Sequence, residues 1–357
     1  MSVVAGLRTP LCDLLGCQYP VVQTGMGWVA GSQLVAATTN AGGFGFLAGA
    51  TIPAEHAESE ILRVKELTGD KPFGLNFHMF QPNAQHLLEL VVKHKIRAVS
   101  YGRGPDKKTI ARLRDAGVVC MPTVGALKHA QKAIEMGANA ITIQGGEGGG
   151  HTGSVPTTVL LPQVVDAVQV PVVAAGGFYD GRGLLSALAF GAQGIAMGTR
   201  FLMTSDSGVP QATLARYLAA KDAEQIRISY LVDGMPQRMV PNEYMAMLEK
   251  SSSLGRLRIA LSLALQWKAH TGMTLQQAFK VLWQSFREGA ASVAQTVMAA
   301  NAPMLLKRSM VDGNPVDGVM SAGQVAALIS RLDSCEQVIH GIVAQALERR
   351  AALNALT

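Results

Sequence analysis

The first two hundred residues alternate between short apolar runs and longer stretches in which apolar side chains recur every three or four positions. The short runs predict β-strands and the longer stretches, such as residues 53–69, 106–117 and 126–137, predict amphipathic helices. These three stretches each end at a glycine, a common helix terminator. Eight strands are predicted, at residues 19–25, 43–48, 72–77, 96–102, 118–124, 140–146, 171–177 and 194–201.

This order of elements predicts the fold class. Strands that alternate with helices form a parallel sheet, and eight strand–helix units of roughly 20–27 residues are typical of a closed barrel. We therefore predict an α/β fold, a (β/α)8 TIM barrel, over residues 1–205. An open, doubly wound parallel sheet is the alternative.

The alternating pattern stops after Ser205. Long helical patterns at residues 252–270, 274–289 and 322–350 predict a mainly helical carboxyl-terminal portion, residues 206–357. No low-complexity linker separates it from the barrel, so it is expected to pack there. It would cap the barrel mouth, form the surface of a homodimer, or do both.

Composition narrows the function classes. The chain has 357 residues, of which 48% are hydrophobic and 16% charged, and no apolar run approaches the roughly 20 residues of a membrane span. The amino terminus lacks a secretory signal pattern, so we expect a cytoplasmic enzyme. The net charge of +6 is spread along the chain rather than concentrated, which favours an anionic small molecule over nucleic acid as partner. Neither the four cysteines nor the histidines and carboxylates have the spacing of a metal site.

Glycines cluster where the predicted strands end. Strand 1 ends in QTGMGWVAG, strand 6 in QGGEGGGH, strand 7 in AAGGFYDGRG and strand 8 in MGTRF. In barrels the active site lies at this end, and a phosphate commonly lies between the loops after strands 7 and 8. Gly176, Gly177, Gly198 and Thr199 are therefore predicted to offer backbone N–H groups to a phosphate, and the helix starting near Asp180 to add its dipole. The alternative is that these glycines only form tight turns.

Polar residues at the same end suggest a flat ligand and a base. Asn76 and Gln144 end strands 3 and 6, where an amide can read the edge of a planar heterocycle or make an ordinary loop hydrogen bond. Imidazole titrates near neutral pH, so His151 is the preferred acid–base residue, with His78 as a rival. Glu147 would bind a ligand hydroxyl or face water. The strand 2 segment GGFGFLAG lacks the context of a dinucleotide fingerprint, and its small residues would instead let the ligand approach.

Five motifs together resemble the nitronate monooxygenase (2-nitropropane dioxygenase-like) family of FMN-dependent barrel oxidoreductases. They are QTGMGWVAG, AGGFGFLAG, QGGEGGGHTG, VAAGGFYDGRGLLSALAFGAQGIAMGTRFL and SAGQVAALI, and they extend over most of the chain. The resemblance implies FMN as cofactor and places His151 beside the reacting substrate. It also implies a set of cofactor-binding residues: Gly25 and Met26 at the flavin ring, Asn76 and Gln144 at its polar groups, Gly150, Gly176, Gly177, Gly198 and Thr199 around the ribityl phosphate, and Gln324 in a segment that returns to the flavin. Gly149 is also assigned to the cofactor site.

A narrower resemblance rests on VVQTGMGWVAG, QGGEGGGHTG, TSDSGVP, VDGMPQR and AANAPMLLKRSMVDGN. These motifs are similar to the branch that acts in bacterial steroid degradation on coenzyme A thioesters of the bicyclic C/D-ring ketone. The likeness implies α,β-desaturation, in which His151 removes the α proton and the β hydride passes to flavin N5. The phosphates of coenzyme A would then meet basic residues of the carboxyl-terminal portion: Lys250, Arg256, Arg258 and Lys268.

Other functions stay open at this point. One is a nitronate monooxygenase that oxidises alkyl nitronates with O2, although such members often have alanine where this chain has Gly148 or Gly149. Another is an NAD(P)H-dependent quinone or enoyl reductase, to which the strand 1 motif is also similar. The last is a barrel without flavin that binds a phosphorylated ligand.

Overall fold

The computed structural model describes residues 7–356 except Phe80, Pro82, Arg103 and residues 253–254, 256–257 and 260–292. Its main sheet is parallel throughout. The strands of this sheet are β1 (Val21–Gln23), β2 (Phe44–Ala48), β3 (Gly74–Phe77), β4 (Ala98–Tyr101), β5 (Val119–Cys120), β6 (Thr123–Val124), β7 (Ile141–Gln144), β9 (Val172–Ala175) and β10 (Gly194–Met197). A second, antiparallel sheet contains β8 (Gly150–His151), β11 (Arg227–Ser229) and β12 (Gln237–Met239).

The main sheet closes on itself. Its strand order is β5-β4-β3-β2-β1-β10-β9-β7-β6, and the two strands at its ends belong to one chain segment interrupted only at Met121 and Pro122. Hydrogen bonding to both neighbours continues through the interruption, since Met121 N donates to Val99 O (2.9 Å) and Thr142 N donates to Pro122 O (2.8 Å). Counting β5 and β6 as one strand gives eight, so the predicted (β/α)8 barrel is confirmed.

Helices connect the strands and follow the last one. They are α1 (Pro10–Leu15), α2 (Ser32–Asn40), α3 (Ala54–Thr68), α4 (Ala84–Lys93), α5 (Lys107–Asp115), α6 (Leu127–Glu135), α7 (Thr157–Val165), α8 (Gly181–Ala189), α9 (Thr199–Leu202), α10 (Gln211–Ala219), α11 (Glu243–Lys250), α12 (Val293–Met310) and α13 (Cys335–Asn354). Helix α13 packs against both α8 and α2, which is the place of the eighth outer helix. The carboxyl-terminal portion thus contributes to the barrel wall, and the division at residue 205 stays a prediction. None of the described helices has the length and apolar character needed to cross a membrane.

The interior of the barrel is filled by apolar side chains, which are Val22, Phe44, Phe46, Ala98, Val119, Met121, Ala140, Val173, Ala175 and Ala196. Helix α1 closes the amino-terminal end of the barrel by adding Leu11 and Leu15 to this cluster. All of these side chains are buried. Because this end is packed, ligand access is left to the end where the strands finish.

Gly74 is small because two aromatic rings occupy the space beside it. A Cβ atom there would lie 2.3 Å from ring atoms of Phe46 and 2.9 Å from Phe44 Cε1. We expect Gly74→Ala to lower the free energy of unfolding by about 1–2 kcal/mol, as overpacking does when a side chain can partly shift. Urea unfolding measures this. In a double-mutant cycle Phe46→Leu should recover part of the loss, and strictly additive effects would contradict the explanation.

Several predicted boundaries are wrong. The strand predicted at 194–201 ends at Met197, and α9 follows it. The helix predicted at 322–350 is a short 3-10 helix, Gln324–Leu328, followed by α13. Helix α13 starts separately because Ser334 caps it: Gln337 N donates to Ser334 Oγ (3.2 Å) and Ser334 N to Gln337 Oε1 (2.9 Å). The helices predicted at 252–270 and 274–289 lie largely outside the described residues.

Candidate active site

Two amide side chains point into the mouth of the barrel. Asn76 lies two residues beyond Gly74, and Gln144 four beyond Ala140, so each faces the barrel interior with those residues. Asn76 Nδ2 donates to the carbonyl of Ser100 (3.1 Å), and Gln144 Nε2 donates to the carbonyl of His151 (2.8 Å). The side-chain oxygens of both amides receive no hydrogen bond from the described part of the chain. Both remain available as acceptors at the mouth.

The loops after β1 and β10 meet the end of β3 here. A Cβ atom on Gly25 would lie 2.3 Å from Asn76 Cβ, and one on Gly198 would lie 3.4 Å from Met26 Sδ. The structure therefore brings together four of the predicted cofactor-binding residues, two of which are glycines with a side chain of a neighbouring element directly beside them. What they bind stays a prediction.

Trp28, in the loop after β1, was missed by the sequence reasoning. Its φ of 66° is in the left-handed region, which a bulky residue rarely adopts. Its N–H donates to Thr51 Oγ1 (3.0 Å), whereas its indole Nε1 is buried with no hydrogen-bond partner among the described residues. Tryptophan is neither a glycine nor a titratable residue, so the sequence gave no chemical reason to select it. Its position inside the motif QTGMGWVAG could have indicated that it lies at the site.

The glycine-rich loop after β7 is held by protein contacts. Both carboxylate oxygens of Glu147 accept from Thr157 N (3.1 Å each), and Oε2 accepts from Thr157 Oγ1 (2.7 Å). Glu147 thus caps the first turn of α7, a role that the sequence did not predict. A Cβ atom on Gly149 would lie 2.5 Å from Ala322 C and Gly323 N, whereas Gly150 has open space and a φ of +66°. Protein packing therefore accounts for the small size of Gly149.

Residues far apart in sequence converge beside this loop. Gly323 N donates to Thr199 Oγ1 (2.9 Å), and Gln324 N donates to the carbonyl of Glu147 (3.1 Å). Gln324 Nε2 also donates to Ala223 O (3.4 Å). The segment containing Gln324 thus returns to the barrel mouth between the loops after β7 and β10.

Gly176 and Gly177 form the turn after β9. Their φ angles are +94° and +83°, which glycine adopts without strain. At the start of the helix near Asp180, Gly181 N donates to Gln345 Oε1 (2.7 Å) and Gly183 N to Asp180 Oδ1 (3.2 Å), and the contribution of the helix dipole stays a prediction. These N–H groups at the start of α8 are satisfied by side chains, so the glycine loops are left as the predicted phosphate site.

His151 is paired with an aspartate that the sequence reasoning missed. His151 Nε2 lies 2.7 Å from Asp233 Oδ2; the Asp233 side chain is 2% exposed and that of His151 is 54% exposed. Burial by itself would raise the pKa of Asp233, but the hydrogen bond and charge of His151, together with N–H donors from Met235 and Gln237, lower that pKa below its ordinary value. The carboxylate is therefore ionised at neutral pH.

The aspartate comes from a hairpin in the carboxyl-terminal portion. Strands β11 and β12 pair with each other, and β12 pairs with β8 so that Gln237 lies opposite His151 and Arg238 opposite Gly150. Arg238 donates from Nε (3.1 Å) and Nη2 (2.9 Å) to the carbonyl of Gly146. The hairpin thus forms one wall of the site. Asp233, Gln237 and Arg238 lie in the motif VDGMPQR, which indicated the family likeness but gave no sign of contact with His151.

His78 lies close enough to His151 for their charges to interact. It is half-buried, and its pKa is lowered by that burial and, to a lesser extent, by the positive charge of His151. Both histidines considered from the sequence are therefore at the same end of the barrel. The hydrogen bond to the buried carboxylate of Asp233 belongs to His151.

Comparison with known proteins identifies the family of the chain. The profile of the Nitronate monooxygenase family matches residues 8–87 and 83–345. The "(3aS,4S,5R,7aS)-5-hydroxy-7a-methyl-1-oxo-octahydro-1H-indene-4-carboxyl-CoA dehydrogenase" of Rhodococcus jostii (strain RHA1) is 49% identical over 350 residues, covering 98% of this chain and 99% of that protein. The Mycobacterium tuberculosis (strain ATCC 25618 / H37Rv) protein of the same name is 46% identical over 363 residues, with 98% and 99% coverage.

A solved structure shows the same fold. FabK from Thermotoga maritima superimposes with a TM-score of 0.78 and 28% identity, over 99% of this chain and 100% of that one. The profile match covers most of the chain, and the two relatives span nearly all of it. The chain therefore belongs to the nitronate monooxygenase family of flavin-dependent oxidoreductases.

Proposed function

We propose that the protein is an FMN-dependent dehydrogenase that introduces an α,β double bond into the coenzyme A thioester of a bicyclic C/D-ring ketone. The observation that carries the proposal is the match of two relatives to 98% of the chain, both named as dehydrogenases of one such thioester. The site supports it with a solvent-accessible imidazole held at the barrel mouth by a buried carboxylate.

The residues at the mouth suit a flat ring that carries a phosphate. The side-chain oxygens of Asn76 and Gln144 would accept hydrogen bonds from ring N–H groups. The phosphate would lie against the backbone of Gly177 and Gly198, since neither residue has a side chain of its own to hold it away. Thr199 Oγ1 accepts from Gly323 N and keeps its own hydrogen to donate to the phosphate. FMN is the flavin that this arrangement favours, since it carries a single phosphate.

The substrate chemistry fits the proposed base. The thioester carbonyl acidifies the α C–H bond, so His151 would take the α proton while the electrons of that bond form the C=C bond. When bound, the flavin supplies the acceptor for the hydrogen that leaves the β carbon with its electron pair. The protonated His151 stays paired with Asp233, which stabilises the positive charge it has gained.

The phosphates of coenzyme A need cationic partners outside the barrel mouth. Lys250 and Arg258 are exposed, as a partner of such phosphates must be. The other two basic residues proposed for this contact, Arg256 and Lys268, lie outside the described residues.

Anaerobic mixing tests the function. The FMN-loaded enzyme is mixed in a stopped-flow instrument with the saturated coenzyme A thioester of the bicyclic keto acid, and flavin absorbance is recorded. We expect the flavin to bleach and the recovered thioester to have lost two hydrogens by mass spectrometry. The free acid serves as the matched control and should reduce the flavin much more slowly.

Other substrates in the same instrument test the alternative functions. Faster bleaching by NADH, or faster turnover of propionate-3-nitronate with O2, would overturn the proposal. A protein that stays colourless after addition of FMN would overturn the choice of cofactor.

A further inference from the structure

The contact between His151 and Asp233 determines which ring nitrogen carries a proton. An ionised carboxylate has no hydrogen to donate, so the 2.7 Å contact requires a proton on His151 Nε2. The neutral ring then has its lone pair on Nδ1. Since the His151 side chain is 54% exposed, much of the ring remains open to a ligand.

Asp233 is held rigidly enough to fix the ring. Its Oδ1 accepts from Met235 N (3.0 Å), and its Oδ2 accepts from both His151 Nε2 and Gln237 Nε2. The antiparallel pairing that sets Gln237 opposite His151 joins the two sides of this contact through the backbone. At 2% exposure the carboxylate is shielded from water, which strengthens its hydrogen bonds.

The groups that face His151 divide into two kinds. Asp233 is the ionised partner, and the Gln237 amide, whose Nε2 lies 3.2 Å from His151 Nε2, is neutral and cannot take up a proton. His78, in the loop after β3, is a histidine whose interaction with His151 is repulsive when both are charged. The hairpin therefore provides the negative charge that orients the ring.

We propose that Asp233 is a positioning residue: it holds His151 in the Nε2–H tautomer, so that Nδ1 is the atom that takes the substrate proton, and it then pairs with the imidazolium. This inference rests on the proposed function only for the role of Nδ1 in the reaction. The assignment of the tautomer is independent of the reaction and rests on the contact with Asp233 and on the N–H donors that hold this carboxylate ionised. The hairpin from the carboxyl-terminal portion thereby becomes part of the proton-transfer apparatus.

The tautomer is measured directly by NMR. Protein labelled with 15N-histidine is recorded above the titration range of imidazole, and the His151 signals are assigned by their loss in His151→Gln. We expect wild-type His151 to show a protonated Nε2 and an unprotonated Nδ1. In Asp233→Asn the Nε2–H form should lose its dominance, because the asparagine amide can donate to Nε2 and no longer carries a charge.

Kinetics give a second readout. Asp233→Asn should lower the rate constant for flavin reduction about 10- to 100-fold, part of what a general base contributes, with little change in the apparent substrate Kd. Asp233→Glu keeps the charge and should retain the Nε2–H tautomer. The matched control is Asp206→Asn, which removes a carboxylate that accepts from Cys335 N (2.6 Å) at the start of α13, and it should leave the His151 spectrum unchanged.

The outcomes separate the two proposals. A wild-type spectrum with the proton on Nδ1 overturns the inference even if Asp233→Asn does not fold, as does an unchanged tautomer in Asp233→Asn. If the tautomer changes but neither Asp233→Asn nor His151→Gln slows flavin reduction, the base assignment of the proposed function fails and the positioning of the ring by Asp233 stands.

Discussion

Replacing His151 with glutamine is expected to slow reduction of the flavin by the coenzyme A thioester about 10²- to 10⁴-fold, the usual contribution of a general base. Glutamine retains an N–H group that can donate to Asp233, so the hairpin should stay in place. It has no basic atom near neutral pH, so the α proton would have to leave to water. Stopped-flow absorbance measures the rate, and the flavin spectrum shows that FMN remains bound.

Two other histidine substitutions show whether the loss of rate is specific to His151. His129→Gln alters an exposed position on α6 and should leave the rate unchanged. His78→Gln alters the neighbouring histidine, whose burial lowers its pKa. A large loss of rate in His78→Gln together with a normal rate in His151→Gln would transfer the role of base to His78.

The barrel was predictable because each of its strands carries its own signal. A buried parallel strand appears in the sequence as a short apolar run. The glycine at which several predicted helices end marks the boundary between one strand–helix unit and the next. Boundaries were less predictable. The helix predicted at 322–350 has an apolar pattern throughout, and it breaks because the side chain of Ser334 starts a new helix by capping it, a local hydrogen bond that competes with the periodicity.

The site was predictable only as far as it lies on strand ends. Asn76, Gln144 and the glycine turns follow strands directly, so the fold places them together. Asp233 is 82 residues from His151 and reaches it through strand pairing with β8, a two-residue strand inside a glycine-rich loop. No rule of sequence spacing relates the two residues. Because the carboxyl-terminal portion was predicted to be mainly helical, a hairpin was not expected there. Composition likewise gave no sign that Gly149 packs against Ala322.

Gly149→Ala tests whether packing against the surrounding protein excludes a side chain at position 149 of the glycine-rich loop. The new methyl group would lie 2.5 Å from the backbone at Ala322 and Gly323, which cannot rotate away as a side chain can. We expect the free energy of unfolding to fall by about 3 kcal/mol, near the upper end for overpacking. Relief of the clash would pull Gly323 N from Thr199 Oγ1, so FMN affinity should fall about tenfold, equivalent to about 1.4 kcal/mol.

Gly150→Ala is the matched control one residue further on. A Cβ atom at Gly150 meets nothing within 4 Å, so its cost is limited to the left-handed backbone, φ +66°, and amounts to about 1–2 kcal/mol. Urea unfolding and FMN fluorescence titration are compared for the two variants. If both variants lose equal stability and equal FMN affinity, packing against Ala322 is not the reason that residue 149 is a glycine. If Gly149→Ala loses more of both, contact with the carboxyl-terminal segment excludes a side chain there, and the same contact links that segment to cofactor binding.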